Sequence, residues 1–125
     1  MEKSLLFVTF LLALLLFILH YTGMTLYLYW TFWWYDYITH FLGGLVIGVL
    51  AMWVLNFEKR TLSSFLILFT SVMVVGGAWE IFEYVNGLTF STQEYPIDTT
   101  IDFVMDALGA ISAYFLFISR SRESF

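Results

Sequence analysis

The sequence contains no cysteine and only five lysine or arginine residues among its 125 positions. The lack of cysteine excludes disulfide bonds, thiolate metal ligands and a cysteine nucleophile. With 12% charged and 61% hydrophobic residues, the chain has too few charges to cover the surface of a soluble domain. Because the hydrophobic residues fall in long runs, the sequence predicts an integral membrane protein.

Familiar soluble-enzyme motifs are also missing. The sequence has no glycine-rich nucleotide-binding loop, no HExxH motif and no Glu-x-x-His pair of the di-iron type. The length suits one domain, so we expect a single four-helix transmembrane domain over residues 1–125. We expect no nucleic-acid partner.

Four apolar stretches are each long enough to cross a bilayer as a helix, which takes about 20 residues. They run approximately over residues 5–19, 37–55, 62–85 and 101–118. Basic residues occur only before the first stretch, between the second and third, and after the fourth: Lys3, Lys59, Arg60, Arg120 and Arg122. The positive-inside rule therefore predicts an all-α, four-transmembrane-helix bundle in the cell (inner) membrane, with both termini cytoplasmic.

The first stretch predicts an anchor rather than a cleaved signal peptide, because no Ala-x-Ala cleavage site follows it. Its one notable polar residue, His20, stands alone at the outer end, so we expect this helix to serve packing and anchoring. The connection over residues 21–37 is rich in tryptophan and tyrosine. Such a segment is typical of an aromatic belt at the outer interface, with a lipid or isoprenoid contact surface as the alternative.

Seven of the ten acidic residues fall toward the predicted outer ends of the helices, where no lysine or arginine accompanies them. They are Asp36, Glu80, Glu83, Glu94, Asp98, Asp102 and Asp106, and His40 lies among them. Carboxylates beside hydrocarbon are costly to ionise, so such residues must bind a metal, stay protonated or face water. Glu94 lies in a predicted loop, where we expect it to be solvated.

The spacing of these residues predicts helix faces that also carry small residues. The three stripes are Asp36, His40, Gly44 and Gly48 in the second stretch, Gly76, Gly77, Glu80 and Glu83 in the third, and Asp98, Asp102, Asp106 and Ala110 in the fourth. Small residues let membrane helices approach closely, so the stripes are expected to meet inside the bundle. The sequence therefore predicts a polar cup that opens toward the outer face.

Carboxylates with one imidazole suit a divalent metal ion, and Zn, Mn, Mg, Ca and Fe all fit this ligand set. We expect the metal ligands to be Asp36, His40, Glu80, Glu83, Asp98, Asp102 and Asp106, in one crowded site or around a bridged pair of ions. Individual residues have other interpretations. Asp98 fits a helix N-cap, and Asp36, Asp102 and Glu83 fit solvated positions near the membrane boundary.

Three segments resemble the YjdF-like group of small bacterial inner-membrane proteins: WWYDYITHFLGG, GGAWEIFEYVNG and YPIDTTIDFVMDALGAI. The resemblance covers residues 33–111. It implies that the group's Asp-x-x-x-His, Trp-Glu-x-x-Glu and Asp-Thr-x-x-Asp patterns fall on Asp36, His40, Glu80, Glu83, Asp98, Asp102 and Asp106. The chain resembles a shortened member, because others carry additional helices. The resemblance implies no particular activity.

Three functions fit this predicted site. A metal-dependent hydrolase or transferase acting on a membrane lipid or lipid-linked substrate would use Glu80 or Glu83 to move a proton. The outer half lacks the lysine or arginine that a phosphate-cleaving site normally uses. Cation or proton transport or sensing is the alternative, and alternating access by four short helices would need a homo-oligomer. The third function is that of a structural membrane protein braced by metal.

Overall fold

The computed structural model describes residues 2–57, 59–87 and 95–118, in which every regular element is an α-helix. The helices are α1 (Glu2–Thr25), α2 (Leu28–Thr31), α3 (Tyr35–Leu55), α4 (Leu62–Asn86) and α5 (Tyr95–Phe117). Four of them, all except α2, are long and apolar enough to cross a membrane by length and composition. The prediction of an all-helical protein with four candidate spans is therefore confirmed, and the orientation of the termini stays a prediction.

The helices extend beyond the apolar stretches that the sequence marked. Helix α1 continues to Thr25, α3 begins at Tyr35, and α5 begins at Tyr95, so the predicted limits near residues 19, 37 and 101 were too narrow. Hydrophobicity marks only the part of a helix that matches the bilayer core, whereas backbone hydrogen bonding continues through the polar turns at its ends. Asp98 consequently lies in the first turn of α5, not before it.

The aromatic connection between α1 and α3 contains the four-residue helix α2, which follows Tyr27 in a left-handed conformation. Tyr29 and Tyr35 turn inward and are buried, whereas Trp33 is exposed. The Tyr35 hydroxyl donates a hydrogen bond to the backbone carbonyl of Leu19, which ties the start of α3 to the end of α1. Part of this segment therefore belongs to the core, and its exposed rings alone remain available for an aromatic belt.

Helix α3 lies at the centre of the bundle, where it contacts α1, α4 and α5. Its closest approach is to α5, because a Cβ atom at Gly44 would overlap the backbone carbonyl of Asp106, and one at Gly109 would overlap that of Phe41. Small residues are what permit such backbone contact between membrane helices. An apolar core fills the bundle below this crossing, formed by Leu45, Val49, Met52, Leu68, Val72, Ala110, Ala113, Tyr114 and Ile118.

The two ends of the bundle differ in chemistry. At the basic end, which we define by Lys3, Lys59 and Arg60, Thr61 and Ser64 form a capping box at the start of α4. There the Arg60 guanidinium donates a hydrogen bond of 2.8 Å to the carbonyl of Phe115 at the end of α5. The opposite end, where α3 and α5 begin and α4 finishes, carries the acidic residues and is called the cluster end below.

Candidate metal centre

The acidic stripes of three helices meet at the cluster end. Helix α3 supplies Asp36 and His40 from its first two turns, α4 supplies Glu80 and Glu83 from its last two, and α5 supplies Asp98, Asp102 and Asp106. All seven side chains are buried, and Asp102 has 0% of its surface exposed. This burial agrees with the expectation that the stripes point into the bundle, and the opening of the site toward the outer face stays a prediction. Glu94 falls outside the described residues.

His40 lies at the centre of this arrangement. Its Nδ1 atom is 3.1 Å from Oδ1 of Asp106, within hydrogen-bond distance. Its other nitrogen, Nε2, is 3.6 Å from Oδ1 of Asp36 and 3.5 Å from Oδ2 of Asp102. The same Nε2 lies 3.9 Å from Oε1 of Glu80. Thus Nδ1 of His40 is close to a single carboxylate, whereas Nε2 lies near three.

The carboxylates form two groups whose ligand atoms lie within 4.8 Å of one another. The first group consists of His40, Glu80, Glu83 and Asp102, and the second of Asp36, Asp98 and Asp102. Asp102 belongs to both. Two adjacent groups that share one carboxylate have the composition of a site for a bridged pair of ions.

Several carboxylate oxygens in this cluster lack ordinary partners. Within the described residues, no N–H or hydroxyl group donates a hydrogen bond to four buried oxygens, which are Oε1 of Glu80, both oxygens of Asp102 and Oδ2 of Asp106. His40 makes ion-pair contacts with four of these carboxylates, and the sequence has no lysine or arginine between positions 61 and 119. Buried carboxylates rarely lack partners, because an unpaired buried charge is strongly unfavourable. A bound cation or shared protons would satisfy them.

Two further side chains orient the glutamates. The Trp79 indole Nε1 donates a hydrogen bond of 2.8 Å to Oε1 of Glu83, and the Thr99 hydroxyl donates one of 3.3 Å to Oε2 of Glu80. Both residues belong to the Trp-Glu-x-x-Glu and Asp-Thr-x-x-Asp patterns of the resemblance, but neither was predicted to take part in the site. The Trp79 contact spans four residues on one helix, a spacing that would have predicted it. The Thr99 contact joins α4 to α5, so helical spacing alone could not have predicted it.

Helix α1 also contributes to this region, contrary to the expectation that it serves only as an anchor. The Nδ1 atom of His20 lies 2.7 Å from the hydroxyl of Tyr29, and the His20 ring packs edge-on against Trp79 at a centroid distance of 6.0 Å. Burial is the main cause that raises the pKa of the Tyr29 hydroxyl, while a hydrogen bond with Thr39 lowers it. Tyr29 therefore keeps its proton at neutral pH and can donate it to His20. His20 does not stand alone.

A cavity of about 380 Å³ adjoins the cluster, between α1, α3 and α4. Asp36, His40, Glu83 and Asp106 reach its polar end together with His20. Apolar side chains from the three helices form the remaining walls, among them Leu16, Val46, Ile47 and Val72. Apolar pockets of this size with a few convergent polar groups are typical of small-molecule sites.

The structure thus brings together the seven residues predicted as ligands, but they differ in which ligand group they join. Six of them enter the two ligand groups, whereas Asp106 lies on the Nδ1 side of His40 and belongs to neither. Of the two glutamates predicted to act in catalysis, Glu83 reaches the cavity and Glu80 does not. Whether any of these residues binds metal or takes part in catalysis stays a prediction.

The fold and the site define a helical membrane protein with four candidate spans and a buried carboxylate–histidine cluster that could hold a metal ion. The chain belongs to the family described as "Predicted membrane protein (DUF2238)", whose pattern matches residues 5–123. This match is consistent with the resemblance to the YjdF-like group. Comparison with curated proteins and with solved structures found no significant match.

Proposed function

We propose that this protein binds divalent metal in the cluster and acts as a metal-dependent hydrolase or transferase on a lipid or lipid-linked substrate. The observation that carries the metal site is the state of Asp102. Its side chain is fully buried, no N–H or hydroxyl group of the described residues donates to either oxygen, and it is common to both ligand groups. A cation held by Asp102 and its neighbours in either group would neutralise this carboxylate.

The orientation of His40 also favours a metal over bare protons. A histidine that ligates metal normally donates its second N–H group to a carboxylate or carbonyl, which fixes the ring and its tautomer. Nδ1 of His40 lies beside Asp106 in this manner, and Nε2 points into the ligand group. The oxygen-rich ligand set with one imidazole suits Mn²⁺, Fe²⁺ or Zn²⁺, and the carboxylates also suit Mg²⁺ or Ca²⁺.

Glu83 is the residue best placed for proton transfer. It belongs to the first ligand group and also reaches the cavity, where a substrate would lie. A divalent ion would acidify a water molecule at the site. In hydrolysis, the water oxygen bonds to the electrophilic atom of the substrate, Glu83 accepts the proton, and Glu83 then donates it to the leaving oxygen. In transfer, an alcohol takes the place of water.

A cation pathway across the bilayer is less well supported. Between the cluster end and the basic end, the described part of the bundle interior is packed with apolar side chains such as Leu45, Val49 and Leu68. A transport pathway would need polar or water-filled passage at this depth. The adjoining cavity supports a substrate site over a role in which metal only braces the bundle. On the positive-inside rule, the cluster end faces away from the cytoplasm.

A thermal-unfolding series of the full chain in detergent tests the metal site. Because a ligand that binds only the folded state stabilises it, metal at about a hundred times its dissociation constant should add roughly 2.7 kcal/mol, and a chelator should remove that gain. Asp102→Ala should abolish the response. Glu58→Gln, which changes an acid in the sequence between α3 and α4, serves as the control and should respond like the parent.

Two results would contradict the metal site. One is a parent melting temperature that ignores both chelator and every one of Mg²⁺, Mn²⁺, Ca²⁺, Zn²⁺ and Fe²⁺. The other is an Asp102→Ala variant that responds to metal as strongly as the parent. The variant need not be less stable than the metal-free parent, because it removes one carboxylate from a crowd of like charges.

A further inference from the structure

The cavity beside the cluster opens toward the place where lipid would lie. It occupies the space between α1 and α4, which both flank α3. Phe17 on α1 and Val75 on α4 line it and are themselves exposed, Phe17 to 66%. In a membrane, these side chains would contact lipid, so a hydrocarbon chain has a lateral route into the cavity without crossing water.

The shape of the cavity fits an elongated apolar ligand. On α4 its lining extends from Val72 to Glu83, which are eleven helical steps apart and therefore separated by about 16 Å at 1.5 Å per residue. The inner part is apolar, with Leu16, Val46 and Ile47 on its walls, and the polar groups lie at the cluster end. An occupant would therefore place an apolar chain deep in the bundle and a polar group beside His40.

The selectivity of the cavity for one lipid over another must come from the groups at its polar end. Moving a chain from the bilayer into an apolar cavity gains little free energy, because lipid tails are as apolar as the side chains that replace them. The cluster beside the polar end contains six carboxylates, three of which line the cavity. Two divalent ions would leave the six with a formal charge of −2 when all are ionised. No lysine or arginine stands between positions 61 and 119 to offset a further negative charge. Charge complementarity thus disfavours a phosphate and favours an uncharged oxygen.

We propose that the cavity binds one hydrocarbon chain of a membrane lipid, which enters between α1 and α4 and presents an uncharged ester or hydroxyl oxygen to Glu83 and the metal cluster. This inference rests on the proposed metal site and names the class of its substrate. Diacylglycerols and long-chain alcohols carry such groups, whereas phosphatidate has the same chains and a charged phosphate monoester.

Photocrosslinking of the full chain in phosphatidylcholine vesicles tests this inference. The probe is a diacylglycerol with a diazirine in one acyl chain, and mass spectrometry locates the adducts. We expect adducts on Val46 and Val72, which line the cavity and are buried, so that lipid around the protein does not reach them. Adducts confined to outward residues such as Phe10 and Val74 would overturn the proposal.

Competition identifies the polar group. Unlabelled diacylglycerol or a long-chain alcohol should suppress the cavity adducts. Suppression by the alcohol would show that a hydroxyl group suffices, and suppression by diacylglycerol alone would indicate that its ester groups are required. A phosphatidate probe should give roughly tenfold fewer cavity adducts, which corresponds to weaker binding by about 1.4 kcal/mol. Equal labelling by the two probes would refute the preference for an uncharged group.

A matched pair of variants separates the cavity from the metal site. A Cβ atom at Gly43 would meet nothing within 4 Å, so Gly43→Leu extends into the cavity. It should reduce cavity adducts roughly tenfold, or by about 1.4 kcal/mol of binding, and leave the metal-dependent rise in melting temperature unchanged. Gly77→Leu is the control, because Gly77 does not line the cavity and its Cβ would meet only the Phe103 ring at 3.9 Å.

The two proposals fail in different ways. A parent without any metal response refutes the metal site. A parent that responds to metal but gives no adduct on the cavity walls refutes the lipid proposal alone. Gly43→Leu with adducts at the parent level would also refute it, since the added side chain and the acyl chain cannot share the same space.

Discussion

The Nδ1 atom of His40 lies 3.1 Å from Oδ1 of Asp106, and this contact leaves Nε2 facing the carboxylates of the first ligand group. The contact joins α3 to α5 one turn from the point where Gly44 and Gly109 bring the two backbones together. The close crossing of two helices thus sets the orientation of the one imidazole in the cluster.

This relationship predicts that Asp106 positions His40 instead of binding metal itself. Partners of metal-ligating histidines typically change metal affinity 10- to 100-fold when they are removed. Asp106→Ala should therefore weaken binding by about that factor, measured by competition with a chromophoric chelator. Asp106→Asn keeps an oxygen that can accept the Nδ1–H bond, so it should lose less. Equal losses in the two variants would indicate that the charge or direct ligation of Asp106 matters, not its hydrogen bond.

Adjacent glycines on α3 should respond in opposite ways to alanine. Gly44→Ala places a methyl group into the backbone of α5 at Asp106, and such overpacking costs about 1 to 3 kcal/mol. Gly43→Ala meets open space, so it should be neutral or stabilise the helix by up to about 1 kcal/mol. Thermal unfolding of the metal-free proteins measures both. A Gly44→Ala variant as stable as Gly43→Ala would show that α3 and α5 are not packed this closely.

Metal affinity should fall as pH falls, because carboxylate and imidazole ligands must be deprotonated to bind and protons compete with the ion. A series of metal titrations across the pH range, each followed by thermal unfolding, tests this. If protons alone neutralise the cluster, the folded state binds more protons than the unfolded one. Stability would then decline as pH rises, and chelator would have no effect at any pH.

The cluster end and the basic end should lie on opposite sides of the membrane. The chain has no native cysteine, so Asn86→Cys and Ser63→Cys each provide one label site at the two ends of α4, where both residues are exposed. The distribution of lysine and arginine predicts that an impermeant thiol reagent added to intact cells labels Asn86→Cys alone. Labelling of Ser63→Cys alone would reverse the proposed orientation, and labelling of both would contradict a span at α4.

The sequence correctly predicted the membrane class, the number of candidate spans and which residues come together in the cluster. These features depend on local regularities: the length of an apolar run and the four-residue spacing that puts Asp36 above His40 or Asp98 above Asp102 on one helix face. Small residues on the same faces indicated that these stripes point inward. All seven side chains are in fact buried, which agrees with that argument.

The contribution of α1 was not predictable in the same way. His20 is the one histidine of a helix whose other residues are mostly apolar and exposed, so no pattern marks it. It lines the cavity and packs against Trp79, and α2 brings the Tyr29 hydroxyl to 2.7 Å from its Nδ1 atom. That turn begins at Tyr27, whose left-handed backbone conformation is uncommon for a tyrosine and carries no sequence signal.

The sequence by itself determined which residues share a helix face, because side-chain direction repeats with the helical period whatever the neighbours are. Only the tertiary structure decided which faces touch and at what distance. The division of the carboxylates into two groups around Asp102, the separate position of Asp106, and the cavity between α1 and α4 all depend on how closely the helices approach. That approach is set by the fit of entire helix surfaces, as at Gly44 and Gly109, and no single segment specifies it.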